Sequence, residues 1–214
     1  MLDRHGNVEP ASADSSSASA TPPQRRQDVR QITIRRVAKL RTPLREELCL
    51  VRNISPQGLM AHVYSRLNIG DRVTAEFSSG QVVEGRIVWQ RDDRAGMQFD
   101  QRVDTASVLG AAPDAAARHP PRALRVELDI DARIRVGTSH RPVMLRNISQ
   151  SGARIQSVEP CDAGQKLVLK VDGLPPLAGR VRWQRDGLAG IAFNEPMAFD
   201  MLAQWVPMVQ RQAR

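Results

Sequence analysis

The sequence predicts an all-β protein made of two tandem six-stranded antiparallel barrels, with a helix at its C-terminal end. Three observations predict this architecture: the chain repeats itself once, apolar and polar residues alternate within each copy, and turn residues separate short segments. Each copy is too short to hold the crossover helices that parallel strands require. Because closure removes the exposed edges of an antiparallel sheet, a barrel is the expected form of each copy.

The repeat is visible in two pairs of matching segments. Residues 51–58 (VRNISPQG) return as residues 145–152 (LRNISQSG), and residues 85–91 return as residues 179–185. Both pairs are separated by 94 positions, and the register holds without a gap from about 38 to 99. A period of this length is typical of a complete domain and is too long for a solenoid unit.

The strands are predicted from a hydrophobic period of two. Val83, Gly85 and Ile87 fall on one face of a strand, while polar residues fall on the other. Trp89 continues this apolar face, and Trp183 holds the matching position in the second copy. We therefore expect both indoles in the barrel cores; the alternative is that they form stacking platforms for a ligand. Predicted turns lie at 68–71, 78–80, 92–96, 171–173 and 185–187.

A helical pattern marks the C-terminal end. Apolar residues from Met197 to Val209 recur at helical spacing, which predicts a helix that covers the second barrel. We expect Pro207 to kink this helix or to end its regular part. Between the two copies, an Ala-rich stretch with Gly110 predicts a linker, with a short helical turn before it. We expect that a short helix can follow the last strand of each barrel.

These features divide the chain into four segments. Residues 1–24, rich in Ser, Ala and Pro, are predicted to be a disordered tail because they cannot bury enough apolar surface to fold. The first domain is expected at 25–100 and the linker at 101–117. The second domain, together with its helix, is expected at 118–214.

Charge and cysteine content narrow the function. The 31 Lys and Arg residues outnumber the 23 Asp and Glu residues, giving a net charge of +8. This excess indicates a polyanionic partner; the alternative is an arginine-rich surface that is only solvated. Two cysteines are too few for a disulfide framework and indicate a reducing compartment. We expect a cytoplasmic protein, since the chain opens without an apolar signal segment and has no apolar run that could span a bilayer.

The sequence contains no recognisable catalytic or metal-binding pattern. Its four histidines are scattered, without Cys or carboxylate partners at the spacing of metal ligands. No Ser/His/Asp set, no Cys/His set and no glycine-rich phosphate loop occurs. We therefore expect a protein that is not an enzyme and that carries no metal and no cofactor.

Two short motifs recur in the same order in both copies. The first copy has an arginine pair, Arg26 and Arg30, ahead of its first strand, and the second copy has Arg118 and Arg122. Each pair is followed by an Asn-x-Ser-x-x-Gly segment in a predicted turn. The residues of this segment are Asn53, Ser55 and Gly58 in the first copy and Asn147, Ser149 and Gly152 in the second.

Both motifs, in this order, make each copy similar to the PilZ domain, a family of bacterial receptors for cyclic di-GMP. That family pairs an Arg-x-x-x-Arg segment before the barrel with Asp/Asn-x-Ser-x-x-Gly after the second strand. The resemblance covers residues from about 25 to 199 and implies a PilZ-like barrel in each copy that binds cyclic di-GMP through these residues. The ligand-binding residues that it implies are Arg25, Arg26, Arg30, Asn53, Ser55, Gly58, Arg118, Arg122, Asn147, Ser149 and Gly152.

These residue types suit the chemistry of the ligand. An Arg side chain can bridge the O6 and N7 acceptors of guanine, and it also binds phosphate. The side-chain carbonyl of Asn53 or Asn147 can accept one guanine N–H, whereas an ionised Asp accepts two donors at once. Alternatively, Asn and Ser only close the turn. Gly58 and Gly152 either hold a positive φ or let the ligand approach closely.

One difference between the copies concerns stoichiometry. Arg25 precedes the first arginine pair, while Ala117 has the matching place before the second. A third guanidinium adds a cation for phosphate and a planar face on which guanine can stack. The PilZ resemblance associates an arginine here with binding two intercalated ligands. We hypothesise that the first site takes a ligand pair and the second a single ligand.

Three functions are compatible with the sequence. The leading hypothesis is a cyclic di-GMP receptor that changes conformation on binding and signals to a partner protein. The second is a PilZ-like interaction adaptor in which one or both sites no longer bind nucleotide. The third, a nucleic-acid binder, is disfavoured because aromatic platforms are scarce and Tyr64 is the sole tyrosine. We expect no stable nucleic-acid complex and no membrane insertion.

Overall fold

The chain forms two closed antiparallel barrels of six strands each, followed by a helix. This architecture comes from a computed structural model that describes residues 32–109 and 123–212. The prediction of an all-β protein with two tandem six-stranded barrels and a C-terminal helix is confirmed. The predicted N-terminal tail and most of the predicted linker lie outside the described residues.

The first barrel is closed by pairing its first strand with its fourth. Its strands are β1 (Ile32–Arg41), β2 (Glu46–Ser55), β3 (Gly58–His62), β4 (Arg72–Phe77), β5 (Val82–Arg91) and β6 (Arg94–Phe99). Around the barrel they follow the order β1-β2-β3-β6-β5-β4, and β4 returns to pair with β1. A short helix, α1 (Thr105–Leu109), follows.

The second barrel repeats this topology. Its strands are β7 (Val126–Val136), β8 (Ser139–Ser149), β9 (Gly152–Gln156), β10 (Lys166–Lys170), β11 (Leu177–Arg185) and β12 (Leu188–Phe193). They follow the order β7-β8-β9-β12-β11-β10, and β10 closes the barrel on β7. The helix α2 (Phe199–Gln212) comes directly after β12. Gly80 and Gly187, in two of the predicted turns, have positive φ values of 86° and 73°.

Alternating apolar residues fill the two barrel interiors. In β5, Val83 and Ile87 are buried, and in β10 the same holds for Leu167 and Leu169. The two cores are largely aliphatic, and only 4% of the residues in the chain are aromatic. Val108 of α1 is also buried in the first core, although the sequence places it in the linker. The packing of the first barrel therefore extends beyond its last strand.

Two β-bulges change the direction of the tryptophan side chains. The pairing of β5 with β6 shifts between Ile87 and Trp89, so that Val88 is an extra residue in the strand. β11 has the same shift before Trp183, which is 41% exposed, while Trp89 is half-buried. The prediction that both indoles pack in the cores is wrong, because one inserted residue moves every later side chain to the opposite face.

Helix α2 packs against both barrels. Leu202 and Val206 are buried in the second core, and the indole N–H of Trp205 donates to the Asp172 carbonyl at 2.8 Å. Leu48 of β2, a first-barrel residue that is 2% exposed, belongs to this same cluster. The helix continues past Pro207 to Gln212, so this proline does not end it.

A polar contact fixes the same interface. Tyr64 lies just after β3, and its hydroxyl donates to Asp200 Oδ1 at 2.5 Å. The Tyr64 ring also packs edge-on against the Phe199 ring, with the ring centroids 6.1 Å apart. Burial, followed by the hydrogen bond to Asp200, raises the pKa of Tyr64 above its ordinary value. The hydroxyl is therefore a stable donor at neutral pH.

The two cysteines are free and buried in different barrels, at Cys49 and Cys161. Burial raises the pKa of the Cys49 thiol to about 12, so this group is protonated and unreactive at neutral pH. Within the described ranges, no helix combines the length and apolar composition needed to cross a membrane.

Candidate functional site

The Asn-x-Ser-x-x-Gly segments form the tight turns that join β2 to β3 and β8 to β9. In each turn the serine hydroxyl donates to the glycine carbonyl, at 3.2 Å from Ser55 to Gly58 and at 3.2 Å from Ser149 to Gly152. Ser149 is fully buried. These contacts support the interpretation that the serines close the hairpins.

The two motif glycines are constrained by a neighbouring strand. A Cβ on Gly58 would lie 2.5 Å from the carbonyl oxygen of Met97, and one on Gly152 would lie 2.3 Å from that of Ile191. Neither glycine adopts a positive φ. The positive-φ alternative is therefore wrong: these positions need glycine because the backbone of β6 or β12 passes too close for a side chain.

Strand pairing aligns the motif asparagine with one residue on each of four other strands. Directly paired residues point to the same side of a sheet, so each set forms a cross-strand row. The second row contains Glu127, Asn147, Arg154, Gly190 and Trp183. The first row contains Thr33, Asn53, Met60, Gly96 and Trp89.

A tryptophan covers the glycine at one end of each row. A Cβ on Gly190 would lie 2.1 Å from Trp183 Nε1, and one on Gly96 would lie 2.1 Å from Trp89 Nε1. The indole therefore lies flat against the sheet where only glycine leaves space. This position leaves part of each ring available at the surface.

Charged side chains hold the middle of the second row together. Asn147 Nδ2 donates to Glu127 Oε1 at 3.1 Å, and Arg154 Nη2 donates to Glu127 Oε2 at 2.8 Å. Asn147 is 2% exposed. Its Oδ1 atom and the Nε of Arg154 are buried and have no hydrogen-bond partner among the described residues.

These two atoms are unusual for a folded protein. Nearly all buried polar atoms in folded proteins have a hydrogen-bond partner. A buried polar atom that lacks one costs about 1–3 kcal/mol of folding free energy. The second row therefore has one acceptor and one donor that lack partners in the described structure. The first would accept an N–H from a ligand, and the second would donate to a ligand acceptor.

A cleft of about 890 Å³ lies beside the second row, within the size range of small-molecule sites. Glu127 and Arg154 of the second barrel line the cleft together with Arg41, at the end of β1, and Arg45, in the β1–β2 turn. The backbone N–H of Glu127 donates to Glu46 Oε2 of the first barrel at 3.0 Å. Both barrels therefore form the walls of this cleft.

The first row has a different chemistry. Thr33 and Met60 stand where the second row has Glu127 and Arg154, so the ion pair is replaced by two uncharged side chains. A cleft of about 750 Å³ lies beside Met60 and Trp89. Its other lining residues are Arg91, Asp92, Asp93 and Arg94.

A model of the PilZ domain matches the chain twice, at residues 24–110 and 117–206. The chain belongs to the PilZ domain family. Both matches contain an arginine pair and an Asn-x-Ser-x-x-Gly segment of the sequence. The chain is thus a tandem of two PilZ domains.

Three solved structures are similar to this PilZ protein at low sequence identity. PlzA of Borreliella burgdorferi in complex with c-di-GMP is 12% identical, with 82% of this chain and 93% of that chain covered and a TM-score of 0.36. Escherichia coli YcgR in complex with c-di-GMP is 14% identical, with 84% and 85% covered and a TM-score of 0.30. Bacillus subtilis MotI/DgrA, an inhibitor of motility, is 16% identical, with 86% and 100% covered and a TM-score of 0.34. No curated protein sequence matches the chain.

The predicted arginines of both PilZ domains lie outside the described residues, and their place at the site remains a prediction. They are Arg25, Arg26, Arg30, Arg118 and Arg122. Their distance along the chain is nevertheless short: two residues separate Arg30 from Thr33, and four separate Arg122 from Glu127. Five residue steps span at most about 18 Å, so the chain length keeps the Cα atoms of Arg30 and Arg122 within that distance of the first residue of each row.

The row partners of the PilZ asparagines were not predicted from the sequence. Glu127 and Arg154 are far from Asn147 in sequence, and only strand pairing brings them together. One signal was available: when the repeats are aligned 94 positions apart, Thr33 changes to Glu127 and Met60 changes to Arg154. Two uncharged residues thus become an acid and a base.

Proposed function

We propose that this PilZ protein is a receptor for cyclic di-GMP, with a ligand site in each domain along the cross-strand row. The observation that carries this proposal is the buried Oδ1 of Asn147, which lies beside the Glu127–Arg154 ion pair and has no hydrogen-bond partner among residues 32–109 and 123–212. The ion pair lines a cleft of ligand size, and Asn147, which pairs with both of its residues, holds the motif position of the PilZ family. A guanine base offers ring and amino N–H donors that an amide oxygen can accept.

The remaining predicted residues supply complementary groups. Arg118 and Arg122 would bridge the O6 and N7 acceptors of guanine or bind phosphate, and Arg26 and Arg30 would do the same in the first domain. The partly exposed ring of Trp183 provides a flat surface on which a base can stack. The net charge of +8 favours a ligand with two phosphates.

The proposed output is a conformational change that a partner protein detects, with no chemical reaction. Support comes from the cleft, since Arg41 and Arg45 of the first barrel line it together with Glu127 and Arg154 of the second. A ligand bound there would contact both domains and favour one arrangement of them. We place the protein in the bacterial cytoplasm, because free, buried cysteines are typical of proteins from reducing compartments.

The adaptor hypothesis has specific support in the first domain. Thr33 and Met60 replace the ion pair found in the second row, so the first row has no charged side chain at the two positions that pair with its asparagine. A protein with one active and one inactive PilZ site is therefore the second candidate function.

Isothermal titration of the full chain with cyclic di-GMP, GTP and a short DNA duplex tests the proposal. We expect saturable binding of cyclic di-GMP, weaker binding of GTP, and DNA binding only at low salt, because polynucleotide affinity falls steeply with salt concentration. No binding of cyclic di-GMP, or DNA binding that persists at high salt, would overturn the proposal. Binding that is lost in an Arg118→Ala/Arg122→Ala chain would support the adaptor hypothesis for the first domain.

A further inference from the structure

The side chain of asparagine has two chemically different ends. Its carbonyl oxygen accepts a hydrogen bond, and its amide nitrogen donates two. Only the oxygen can bind a guanine N–H, so an asparagine at the PilZ motif position serves this purpose in one of its two amide orientations. An aspartate at this position would have no such restriction, since both of its oxygens accept.

Glu127 fixes the orientation of the Asn147 amide. The Nδ2 of Asn147 donates to Glu127 Oε1 at 3.1 Å. Turning the amide over would place Oδ1 against a carboxylate oxygen, which leaves two acceptors in contact with no proton between them. With Nδ2 on the carboxylate, Oδ1 points away from Glu127 and is the buried atom without a described partner.

Glu127 is itself held in place. Its Oε2 accepts from Arg154 Nη2 at 2.8 Å, and its backbone N–H donates to Glu46 Oε2 at 3.0 Å. These contacts restrain both the carboxylate and the strand that carries it. The Asn147 amide therefore rests against a group that has little freedom to turn away.

Thr33 has the matching place in the first row. A hydroxyl can donate or accept, so it is compatible with either orientation of an amide. Glu127 therefore restricts the amide orientation of Asn147 in the second row, whereas Thr33 cannot restrict the amide of Asn53 in the same way.

We propose that Glu127 is a positioning residue that turns the Asn147 carbonyl oxygen toward the ligand and so makes the second site prefer guanine to adenine. Guanine presents N–H donors at its N1 and N2 positions, whereas the N1 of adenine is an acceptor. An amide held with its oxygen toward the ligand suits the first base and repels the second. This inference rests on the proposed function, since it concerns how the same site selects its nucleotide.

The test compares cyclic di-GMP with cyclic di-AMP. Titrations use the full chain carrying Arg26→Ala/Arg30→Ala, so that the second site is measured. In the Glu127→Thr variant, which copies the first row, we expect the preference for cyclic di-GMP to fall about tenfold, the change expected for one misdirected hydrogen bond. Adding Asn147→Asp to Glu127→Thr should restore the preference, because a carboxylate accepts in any orientation.

Asp131→Thr is the matched control. Asp131 lies on the same strand, is exposed and is not among the residues that line the cleft. Its substitution removes the same charge as Glu127→Thr, and the preference between the two nucleotides should not change.

The possible results distinguish a failure of the role assigned to Glu127 from a failure of the proposed receptor function. If Glu127→Thr leaves the preference unchanged, or weakens both nucleotides equally, Glu127 does not position Asn147 and the inference is wrong while the receptor remains. If Asn147→Asp fails to restore the preference, amide orientation is not the cause, with the same consequence. If the Arg26→Ala/Arg30→Ala chain binds neither nucleotide, the proposed function is overturned at this site and the inference with it.

Discussion

The two barrels share a fold but differ in the chemistry of one row. Both use a serine that closes the β-hairpin and a glycine against which a neighbouring strand packs. In the row beside these turns, Thr33 and Met60 of the first barrel correspond to Glu127 and Arg154 of the second. Residues that are identical in both repeats build the hairpin, and residues that differ surround the asparagine.

This contrast changes how the family motif should be interpreted. The serine and glycine would be needed for the turn even in a barrel that bound nothing. Their presence in both repeats therefore demonstrates a common fold more than a common ligand. The ligand preference of each barrel is better judged from the partners of Asn53 and Asn147, which the motif does not contain.

The largest expected effect concerns the arginine pair of the second domain. Arg118→Ala and Arg122→Ala should each weaken cyclic di-GMP binding at the second site by about 1–3 kcal/mol, because each removes a forked contact to guanine or phosphate. Titration of full chains that also carry Arg26→Ala/Arg30→Ala measures this, with circular dichroism to confirm the fold. Equal affinity before and after the substitutions would contradict the assignment.

A matched pair of surface arginines controls for charge alone. Arg133 and Arg135 are exposed on β7 of the same domain. Their replacement by alanine removes the same two charges at a different part of the barrel surface. A loss of affinity as large as that of the Arg118/Arg122 variant would show that net charge, and no specific contact, accounts for the effect.

The next prediction tests whether the two turns are equivalent. Gly58→Ala and Gly152→Ala should each lower the free energy of unfolding by about 1–3 kcal/mol, since the new methyl group would overlap a carbonyl oxygen of the next strand. Urea denaturation measures the loss, and Ser151→Ala, on an exposed neighbour, should change it by less than about 0.5 kcal/mol. If the free energy of unfolding fell in only one of the two variants, the two hairpins would not be structurally equivalent.

A smaller effect is expected at the contact between the barrels. Tyr64→Phe removes the hydrogen bond to Asp200 and should cost about 1–2 kcal/mol of unfolding free energy. Because the pKa of Tyr64 is raised in the folded state, this contribution is complete below pH about 10, the pKa of an unfolded tyrosine, and falls as the pH rises above it. Denaturation of both chains at pH 7 and above pH 10 checks this. An energy difference that grows with pH would be inconsistent with the contact.

The Arg25→Ala substitution is expected to change the affinity least, but it should change the number of ligands bound. If the first site takes two ligands and the second takes one, the full chain binds three molecules of cyclic di-GMP, and Arg25→Ala should reduce the count to two. Isothermal titration gives the count directly. Saturation at one ligand per site, unchanged by the substitution, would remove this difference between the domains.

Most of the fold was predictable because it depends on local patterns. The repeat and the alternation of residues such as Val83 and Ile87 are visible in the sequence and follow from strand geometry. The tryptophans were predicted wrongly, because the bulges at Val88 and Arg182 insert a residue that alternation alone does not reveal. α1 was expected as a turn, but the burial of Val108 in the first core was not.

The candidate site was only partly predictable, because its partners meet through strand register. The motif identified Asn147, Ser149 and Gly152 directly. The contacts of Asn147 with Glu127 and Arg154 depend on how β7, β8 and β9 align, and each pairing contains an irregularity near the asparagine. No spacing rule within a single segment predicts such a set.

Helix α2 also makes the order of the two repeats matter. One helix serves two barrels: it follows β12, yet it covers Leu48 on β2 and bonds to Tyr64 through Asp200. A first repeat produced alone would leave Leu48 and Tyr64 facing water, and a second repeat grafted onto another protein would need a substitute for β2. The two copies of the 94-residue repeat are therefore parts of one assembly, and neither can be exchanged for the other without losing contacts that α2 makes.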